Sequence, residues 1–187
     1  MAQTYIFSKK NLGFIVTFLT LFSFIGCESP KKETVQTVAP TPLPTEGEIL
    51  LPSGKKLKTY LALSLEQQTQ GLSGVKASDF SDHEAMLFFY TEDSIKSFWM
   101  PDTYFDLDIY FLSKDLEVLD VERNVPHHPG RSEDKKPIAR TRPIYCRHVF
   151  EVKSSSPLAK EIQKGTKLIW NSNPSLLQIE SNIRPTL

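Results

Sequence analysis

The stretches AMLFFY (residues 85–90), SFWMPDT (97–103) and DLDIYF (106–111) decide the fold of this chain. Together they form the densest run of aromatic and β-forming residues in the sequence, which is the composition of buried strands. One polar couple, Asp102-Thr103, interrupts the run, and Asp108 is embedded in its last strand. The pattern predicts central β-structure with a polar turn in its middle.

Alternation and turn signals extend this prediction on both sides. Residues 57–63 alternate apolar and polar side chains after the turn PSGK (52–55), and SKDL (113–116) separates two further strands. Helix signals are few: one short helix is predicted over residues 64–71 and another over 156–165. Many short strands with two short helices predict a mainly β fold, either a β-sandwich or a partly closed barrel.

Residues 1–26 match a lipoprotein signal peptide. Two lysines at positions 9 and 10 precede an apolar run over residues 12–25. At about 14 residues the run is short for a membrane-spanning helix, which needs about 20, and it has the length of a signal-peptide core. It ends in FIGC (24–27), which resembles a bacterial lipobox. The pattern predicts cleavage before Cys27 and lipidation of Cys27; an uncleaved anchor helix is the alternative.

Residues 27–47 are predicted to be a tether, with one domain after it. The segment that follows Cys27 is rich in Pro, Thr, Lys and Glu, and APTPLP (39–44) favours an extended conformation. Residues 48–171 suit one β-rich domain of ordinary size. Residues 172–187 contain two prolines and are expected to form a C-terminal tail or a final strand packed on the domain.

Charge and cysteine content narrow the range of functions. The chain has 22 basic and 22 acidic residues, and without residues 1–26 the balance is 20 to 22, a net charge of −2. Because this balance gives no general attraction for nucleic acid, we expect no nucleic-acid partner. With Cys27 lipidated, Cys146 has no disulfide partner in the chain and is expected to be a small buried apolar residue.

Five motifs occur in a fixed order: EQQTQGL (66–72), AMLF (85–88), FWMPDT (98–103), LDIYF (107–111) and VFEV (149–152). In that order they resemble the uncharacterised prokaryotic family called domain of unknown function 192, over most of residues 57–170. The resemblance implies a compact β-rich domain that is often exported or lipid-anchored, and it implies no established reaction. This chain departs from the family at the central turn, where Asp102 replaces the usual Asn and Pro101 the usual Lys.

Asp108 is the polar residue on which the functional interpretation depends most. Its strand is apolar on both faces, so the carboxylate is expected to be buried and hydrogen-bonded or paired. If Thr103 and the backbone of the 101–103 turn are its donors, Asp108 is a structural pin for that turn. The alternative is a pocket acid with a perturbed pKa. A pair formed by Asp108 and Glu151 would supply the two carboxylates that glycoside-cleaving or metal-using hydrolases need.

Trp99 and Met100 adjoin the same turn. Neighbouring strand residues point to opposite faces, so one of the two is expected in the core and the other exposed. Core packing is the expectation for Trp99, and a stacking platform for a sugar or another flat ligand is the alternative. The candidate pocket residues are Trp99, Met100, Asp102, Thr103, Asp108 and Glu151.

The connection over residues 126–143 is long for a compact domain, as functional loops often are. Its His127-His128 pair has no further metal ligand at a recognised spacing, so we expect a solvated loop without metal or cofactor. Residues 131–142 carry a local excess of three positive charges, which would suit anionic lipid, a polyanionic glycan or an acidic envelope protein, or would be solvated. Glu151 is expected to pair with one of these charges or to face water. The candidate loop contacts are His127, His128, Arg131, Arg140 and Arg142.

Two functional hypotheses follow. The sequence contains no nucleophile elbow, phosphate-binding glycine loop or metalloprotease helix. The preferred hypothesis is therefore a membrane-anchored envelope lipoprotein, held to the membrane by the lipid on Cys27, whose β-domain binds a ligand or partner without catalysis. The alternative is a carboxylate-dependent hydrolase that acts on envelope material.

Overall fold

The computed structural model describes residues 46–183 and confirms a mainly β fold. The predicted signal peptide, Cys27 and nearly all of the tether lie outside the described residues. Between residues 46 and 183 the chain forms nine strands and two α-helices. In chain order these are β1 (Glu46–Leu50), β2 (Lys56–Ala62), α1 (Leu65–Gln70), β3 (Glu84–Phe88), β4 (Ser94–Lys96), β5 (Leu107–Leu112), β6 (Val118–Val125), β7 (Ile144–Cys146), β8 (His148–Lys153), β9 (Ile169–Trp170) and α2 (Leu176–Ile183).

Seven of the strands form one curled half-barrel sheet in the order β6-β5-β8-β3-β2-β1-β9. Neighbouring strands are antiparallel except for β2 and β3, which run parallel. A parallel pair needs a crossover connection, and residues 63–83, which include α1, provide it. Strands β4 and β7 pair separately as a two-stranded ribbon. Of the two predicted architectures, the partly closed barrel is the nearer description.

Strands β5 and β8 lie side by side within the large sheet and are buried along their whole length. Because side chains alternate along a strand, they enter two separate cores on opposite faces of the sheet. The first core contains Tyr110 and Phe150, and the second contains Ile109 and Val149. This arrangement confirms that the strand carrying Asp108 is apolar on both faces.

Both predicted hairpin turns are present. Strands β1 and β2 pair around residues 52–55, where the Leu51 N–H donates to the Lys55 carbonyl over 2.8 Å. Strands β5 and β6 pair around residues 113–116, where the Ser113 N–H donates to the Glu117 carbonyl over 2.9 Å. The two turns set the register of strand pairs on either side of the sheet centre.

The second predicted helix is wrong in extent. Residues 156–165 contain a single 3₁₀ turn over Ala159–Glu161. Carbonyl oxygens that an α-helix would use are bonded elsewhere: the Ala159 carbonyl accepts from Tyr110 and Arg123, and the Ile162 carbonyl also accepts from Arg123. Tertiary hydrogen bonds therefore replace the helical ones in this segment.

The C-terminal segment forms the helix α2 instead of the alternative final strand. Its Ile179 is buried in the first core. The helix begins after Ser175, whose hydroxyl accepts from the Gln178 N–H while the Gln178 side chain accepts from the Ser175 N–H. This reciprocal pair is a capping box, which stabilises a helix start.

Candidate functional site

Asp108 lies in the first core, where it is 4 % exposed and both of its carboxylate oxygens are hydrogen-bonded. Its Oδ1 accepts from the Asn124 N–H and from the Ser154 hydroxyl, each over 2.8 Å. Its Oδ2 accepts from the Arg123 guanidinium over 2.7 Å, and the Tyr110 hydroxyl oxygen lies 3.4 Å from it. Because these donors satisfy the buried charge, Asp108 has the contacts of a structural pin.

The pin joins segments other than those predicted. The expectation that Thr103 and the 101–103 turn supply its donors is wrong, because the described donors come from β5, β6 and Ser154. The register of β5 against β6 shifts between Leu107 and Ile109. A shift of this kind re-aims side chains, and here it brings residues 123 and 124 of β6 to Asp108.

Arg123 extends the network to a third segment of the chain. Its guanidinium also donates to the Tyr110 hydroxyl and the Ala159 carbonyl, each over 2.8 Å, and to the Ile162 carbonyl. Burial and the nearby Asp108 charge raise the pKa of the Tyr110 hydroxyl, so it stays protonated and donates to the Ala159 carbonyl over 2.8 Å. The network is closed within the protein and holds strands and turn together.

Glu151 is the opposite case on the neighbouring strand. It lies opposite Ile109 in the pairing of β8 with β5, whereas Asp108 lies opposite Val152. Paired residues share a face and consecutive residues alternate, so the two carboxylates point to opposite faces of the sheet. The predicted pair does not converge.

The Glu151 carboxyl is buried without a partner. The residue is 4 % exposed, and across residues 46–183 its carboxyl takes part in no hydrogen bond or ion pair. Burial alone raises the pKa of this carboxyl to about 8, so the neutral acid predominates at pH 7. The expectation that Glu151 pairs with a loop cation or faces water is therefore wrong.

A small cleft of about 50 Å³ lies in front of this carboxyl, and we call it the Glu151 cleft. Trp99, Met100 and Thr103 line it, so the structure brings four of the six predicted pocket residues together. The other two, Asp102 and Asp108, are not among its lining residues. The sequence interpretation missed further lining residues from α1, β3 and the start of the 98–103 segment, which include Gln68, Gln70, Gly71, Ser73, Phe88 and Phe98.

The wall formed by Phe88 depends on a glycine. Gly71 ends α1 with a φ of 50°, in the left-handed region that side chains other than glycine seldom adopt. A Cβ at this position would lie 3.0 Å from the Phe88 ring. Gly71 thus allows the helix end to close on the aromatic wall of the cleft.

One of the two neighbours Trp99 and Met100 is buried and the other is exposed, as alternation predicts. The exposed residue is Trp99, which was expected in the core. Met100 is buried in the second core. Trp99 is 48 % exposed, and its backbone pairs with Arg140, whose guanidinium carbon lies 4.8 Å from the centre of the Trp99 ring. Core packing was therefore the wrong expectation for Trp99, which is an exposed member of the cleft lining and marks its rim.

Asp102 and Thr103 hold the turn beside the cleft. Asp102 has a φ of 54°, a conformation that Asp and Asn tolerate better than most residues. Its N–H donates to the Gly130 carbonyl over 2.6 Å, and its carbonyl accepts from the Gly74 N–H over 2.8 Å. The buried Thr103 hydroxyl donates to the Met100 carbonyl over 2.9 Å and accepts from the His128 N–H over 3.0 Å. Both residues therefore hold the backbone of the turn in place.

The two loop histidines differ from the solvated pair that was predicted. His128 is buried, and its Nε2 lies 2.8 Å from the Ser132 carbonyl oxygen. His127 is half-exposed, and its Nδ1 lies 2.6 Å from Asp106 Oδ1. In the part of the chain that the structure describes, no group of three or more His, Cys, Asp or Glu side chains is placed to hold a metal ion.

The loop arginines do not form one surface of free charge. Arg142 lies 2.6 Å from Glu122 and 3.6 Å from Asp120. Arg140 lies 3.5 Å from Glu133 as well as over Trp99, and Arg131 is exposed. Their contact with an anionic partner stays a prediction.

Sequence reasoning also missed Arg123 and Ser154, which complete the Asp108 network. No local signal marks them, because both reach Asp108 through strand register. Cys146 is buried, as predicted, and burial raises the pKa of its thiol to about 11. Within residues 46–183 no helix has the length and apolar character needed to cross a membrane.

Two solved structures share the fold. A candidate transcription regulator from Sinorhizobium meliloti 1021 is 24% identical, with a TM-score of 0.54 over 70% of this chain and 96% of that one. A protein of unknown function from Novosphingobium aromaticivorans DSM 12444 is 23% identical, with a TM-score of 0.52 over 72% of this chain and 94% of that one. At these identities the likeness concerns the fold alone.

No curated protein matches the chain. The family described as an uncharacterised ACR, domain of unknown function 192, matches residues 49–170. The match covers the strands from β2 to β9, the last two residues of β1, and both walls of the Glu151 cleft. The chain therefore belongs to the domain of unknown function 192 family.

Proposed function

We propose that this protein is an envelope lipoprotein whose β-domain binds a ligand in the Glu151 cleft without catalysing a reaction. One observation carries the proposal: a carboxyl group 4 % exposed faces a cleft and has no partner among the described residues. Among the described residues no fully buried side-chain nitrogen or oxygen lacks a hydrogen-bond partner, so the unbonded Glu151 oxygens keep access to the space of the cleft. A ligand could hydrogen-bond to these oxygens, and a lone, largely buried acid in a cleft is a common mark of a binding site.

The rim of the cleft supports the same proposal. Trp99 is half-exposed and is one of the residues that line the cleft. Aromatic rings at a rim contribute apolar contact area to bound ligands, including sugars and other flat groups. Trp99 thus fits the stacking platform that the sequence left as the alternative to core packing.

The location of the protein is proposed from its sequence. Residues 1–26 would be removed as a signal peptide, and the lipid on Cys27 would hold the chain to a membrane of the bacterial envelope. The tether over residues 27–47 would place the β-domain in the periplasm or at the exterior. Arg131 and Arg140 of the long loop would then contact anionic lipid, a glycan or an envelope protein, and nucleic acid is not among the proposed partners.

The hydrolase alternative has less support. Glycoside hydrolysis by two carboxylates needs both groups beside one substrate bond, roughly 5–10 Å apart. Asp108 and Glu151 point to opposite faces of the sheet, and Asp108 is already bonded to Arg123 and Ser154. The geometry favours a binding domain over an enzyme that uses this pair.

A binding screen on the full chain tests the proposed cleft. Envelope glycans, lipid headgroups and metal ions are titrated while tryptophan fluorescence and calorimetric heat are recorded, and each hit is repeated on Glu151→Gln and Trp99→Ala. We expect both variants to lose at least tenfold in affinity. The matched control is Glu122→Gln, which changes a carboxylate on β6, the other neighbour of β5 in the sheet. This variant should bind normally. A hit that is indifferent to both cleft variants would place the ligand site elsewhere.

Metabolic labelling tests the proposed anchor. The full chain is produced in a bacterial host supplied with labelled palmitate, and the label is expected on the wild type and not on Cys27→Ser. The variant should also accumulate as the uncleaved precursor. Equal labelling of both chains would disprove lipidation at Cys27.

A further inference from the structure

We infer that the group bound in the Glu151 cleft is a primary ammonium, that is, the R–NH₃⁺ end of an amine ligand. This inference rests on the proposed function and adds the chemical class of the ligand. It is based on the hydrogen-bonding groups that line the cleft, on its aromatic walls and on its size.

Most of the polar side-chain atoms that remain free in the lining are acceptors, the exceptions being the Trp99 indole N–H and one proton of the Gln70 amide. The Gln68 amide NH₂ donates to the Phe89 carbonyl over 2.8 Å and the Gln70 amide NH₂ to the Ser73 carbonyl over 2.5 Å. The hydroxyl protons of Ser73 and Thr103 are likewise used, on the Pro101 and Met100 carbonyls. Apart from those two N–H groups, the described lining side chains still offer the Glu151 carboxyl and the carbonyl oxygens of the two glutamines. Once Glu151 is ionised, a lining in which acceptors predominate is complementary to a group that only donates, and an ammonium has three donors and no acceptor.

The apolar part of the lining suits a cation as well. Phe88 and Phe98 meet edge to face with their ring centres 4.7 Å apart, and Trp99 and Met100 complete the wall. Aromatic faces attract cations, most strongly where water is excluded. A neutral apolar group would use these rings equally well, but it would leave the Glu151 carboxyl without a partner.

The size of the cleft limits how much of the ligand enters. Its volume of about 50 Å³ exceeds the roughly 30 Å³ of one water molecule by less than a factor of two. An ammonium with its first carbon fits this space, whereas a trimethylated ammonium or a whole sugar ring does not. The remainder of the ligand would therefore lie outside, against the Trp99 rim.

Binding of an ammonium would be coupled to ionisation of Glu151. The empty site favours the neutral acid, since burial raises the pKa of Glu151, and an ammonium favours the carboxylate. Tyr90 is the other titratable group coupled to Glu151, and its pKa is raised to about 12 by burial and by the Glu151 charge, so it stays neutral. The side chains of Ile109, Phe88, Met100, Gln68 and Gln70 around the carboxyl do not titrate. Affinity should therefore rise as the pH rises toward 8.

The decisive experiment compares ligands that differ only in the amine. The full chain in detergent micelles is titrated at constant ionic strength with ethanolamine and with ethylene glycol, which replaces the amine by a hydroxyl at equal size. We expect ethanolamine to bind with a dissociation constant of roughly 1–10 mM, as its few atoms allow, and ethylene glycol at least tenfold more weakly. Choline should fail to bind. Raising the pH from 6 to 8 should strengthen ethanolamine binding about tenfold or more.

Variants connect this binding to the cleft. Glu151→Gln keeps the shape but removes the charge, and it should abolish ethanolamine binding while near-ultraviolet circular dichroism stays unchanged. Trp99→Ala, on the exposed rim, is the second variant and serves as the test if Glu151→Gln fails to fold. It should weaken ethanolamine binding. Glu122→Gln should bind as the wild type does. Glucosamine against glucose, and glycerophosphoethanolamine against glycerophosphocholine, then distinguish a sugar amine from a lipid headgroup as the source.

The outcomes separate the inference from the proposed function. If ethylene glycol or glucose binds as well as its amine counterpart, in a manner that depends on Glu151, the ammonium inference is overturned and the binding cleft stands. If amine binding survives Glu151→Gln, the inference is overturned because the ammonium lies elsewhere. If neither this panel nor the glycan, lipid and metal screen detects a ligand, both proposals fall.

Discussion

Asp108 and Glu151 lie on neighbouring strands, are equally buried at 4 % exposure, and have opposite surroundings. Asp108 accepts close hydrogen bonds from three donors, one of them a guanidinium. Glu151 has no such donor within residues 46–183, and its pKa is raised to about 8. Burial alone therefore does not distinguish the two carboxyls. The hydrogen-bond donors around each one indicate whether its role is structural or in binding.

The two faces of the sheet differ in the same way. Around Asp108, polar groups are used up between β5, β6 and the 3₁₀ turn, so the interior has nothing to offer a ligand. Around Glu151, the polar groups of the lining retain acceptors, and the rim contains a half-exposed Trp99. A fully connected buried network stabilises a fold, whereas a half-satisfied one is tolerated where it serves binding.

The largest effect is expected from Arg123→Ala. This substitution leaves the Asp108 charge buried without its ion-pair partner, whose nitrogen lies 2.7 Å away in the wild type. Because breaking a buried pair leaves an uncompensated charge, we expect the free energy of unfolding to fall by about 3 kcal/mol. Urea unfolding of the full chain at pH 7, followed by tryptophan fluorescence, measures the loss.

Arg142→Ala is the matched control for that experiment. Arg142 forms an ion pair with Glu122 over 2.6 Å, but its side chain is 62% exposed. Exposed pairs contribute about 0–1 kcal/mol, so this variant should unfold almost as the wild type does. Equal losses from the two arginine variants would show that the Asp108 network is no more than a surface contact.

Glu151 should make the stability depend on pH in a way that Glu151→Gln removes. The folded-state pKa of about 8 lies above the ordinary glutamate value of 4.5, so between these values the folded protein holds a proton that the unfolded chain releases. Stability from this group is therefore full below pH 4.5 and is lost as the pH rises toward 8, by about 1.4 kcal/mol per pH unit. Between pH 5 and pH 7 we expect Glu151→Gln to gain about 2–3 kcal/mol relative to the wild type.

The comparison between variant and wild type cancels the titration of all other groups. Urea unfolding of both chains at pH 5, 6 and 7 gives the difference directly. Asp108→Asn should instead lower the free energy of unfolding at neutral pH, because it removes a buried charge whose hydrogen bonds are satisfied. A difference between Glu151→Gln and wild type that does not change with pH would mean that the Glu151 carboxyl is hydrated and that the cleft is open to bulk water.

Gly71→Ala is expected to have a smaller effect, confined to the wall of the cleft. The added Cβ would lie 3.0 Å from the Phe88 ring at a φ of 50°, so we expect a loss of about 2 kcal/mol from crowding and backbone strain. Gly54→Ala is the control, since Gly54 has a φ of 82° but no neighbour within 4 Å. It should lose about 1 kcal/mol from strain alone. Equal losses from the two would show that Phe88 moves aside freely.

Much of the Asp108 side was readable in the sequence. The apolar run on both sides of Asp108 predicts a buried strand, and burial of a carboxylate predicts hydrogen bonds. The identity of the donors was not predictable, because Arg123 and Asn124 reach Asp108 only through the register shift between β5 and β6. Register depends on long-range pairing, which local patterns do not encode.

The Glu151 side was readable only in part. The segment with Trp99 and Met100 was recognised as a candidate pocket, but the facing of Glu151 depends on which strand lies beside β8. Gln68 and Gln70 belong to a helix whose position over the sheet follows from the parallel crossover between β2 and β3. The helix α2 did have a local signal, the capping box of Ser175 and Gln178, next to a proline, which is typical of a loop.

The smallest effect is expected from Arg140→Ala at the rim. Arg140 lies over the Trp99 ring at 4.8 Å, and its ion pair with Glu133 is exposed. Because a cation–π contact at an exposed site contributes about 0.5–1 kcal/mol, the variant should lose no more than that in urea unfolding. It should nevertheless raise acrylamide quenching of Trp99, measured in a Trp170→Phe background that leaves one of the two tryptophans. Arg140→Lys should fall between. Unchanged quenching would mean that other residues shield Trp99, whereas a loss as large as that of Arg123→Ala would make the rim part of the rigid framework and erase the contrast with the Asp108 face.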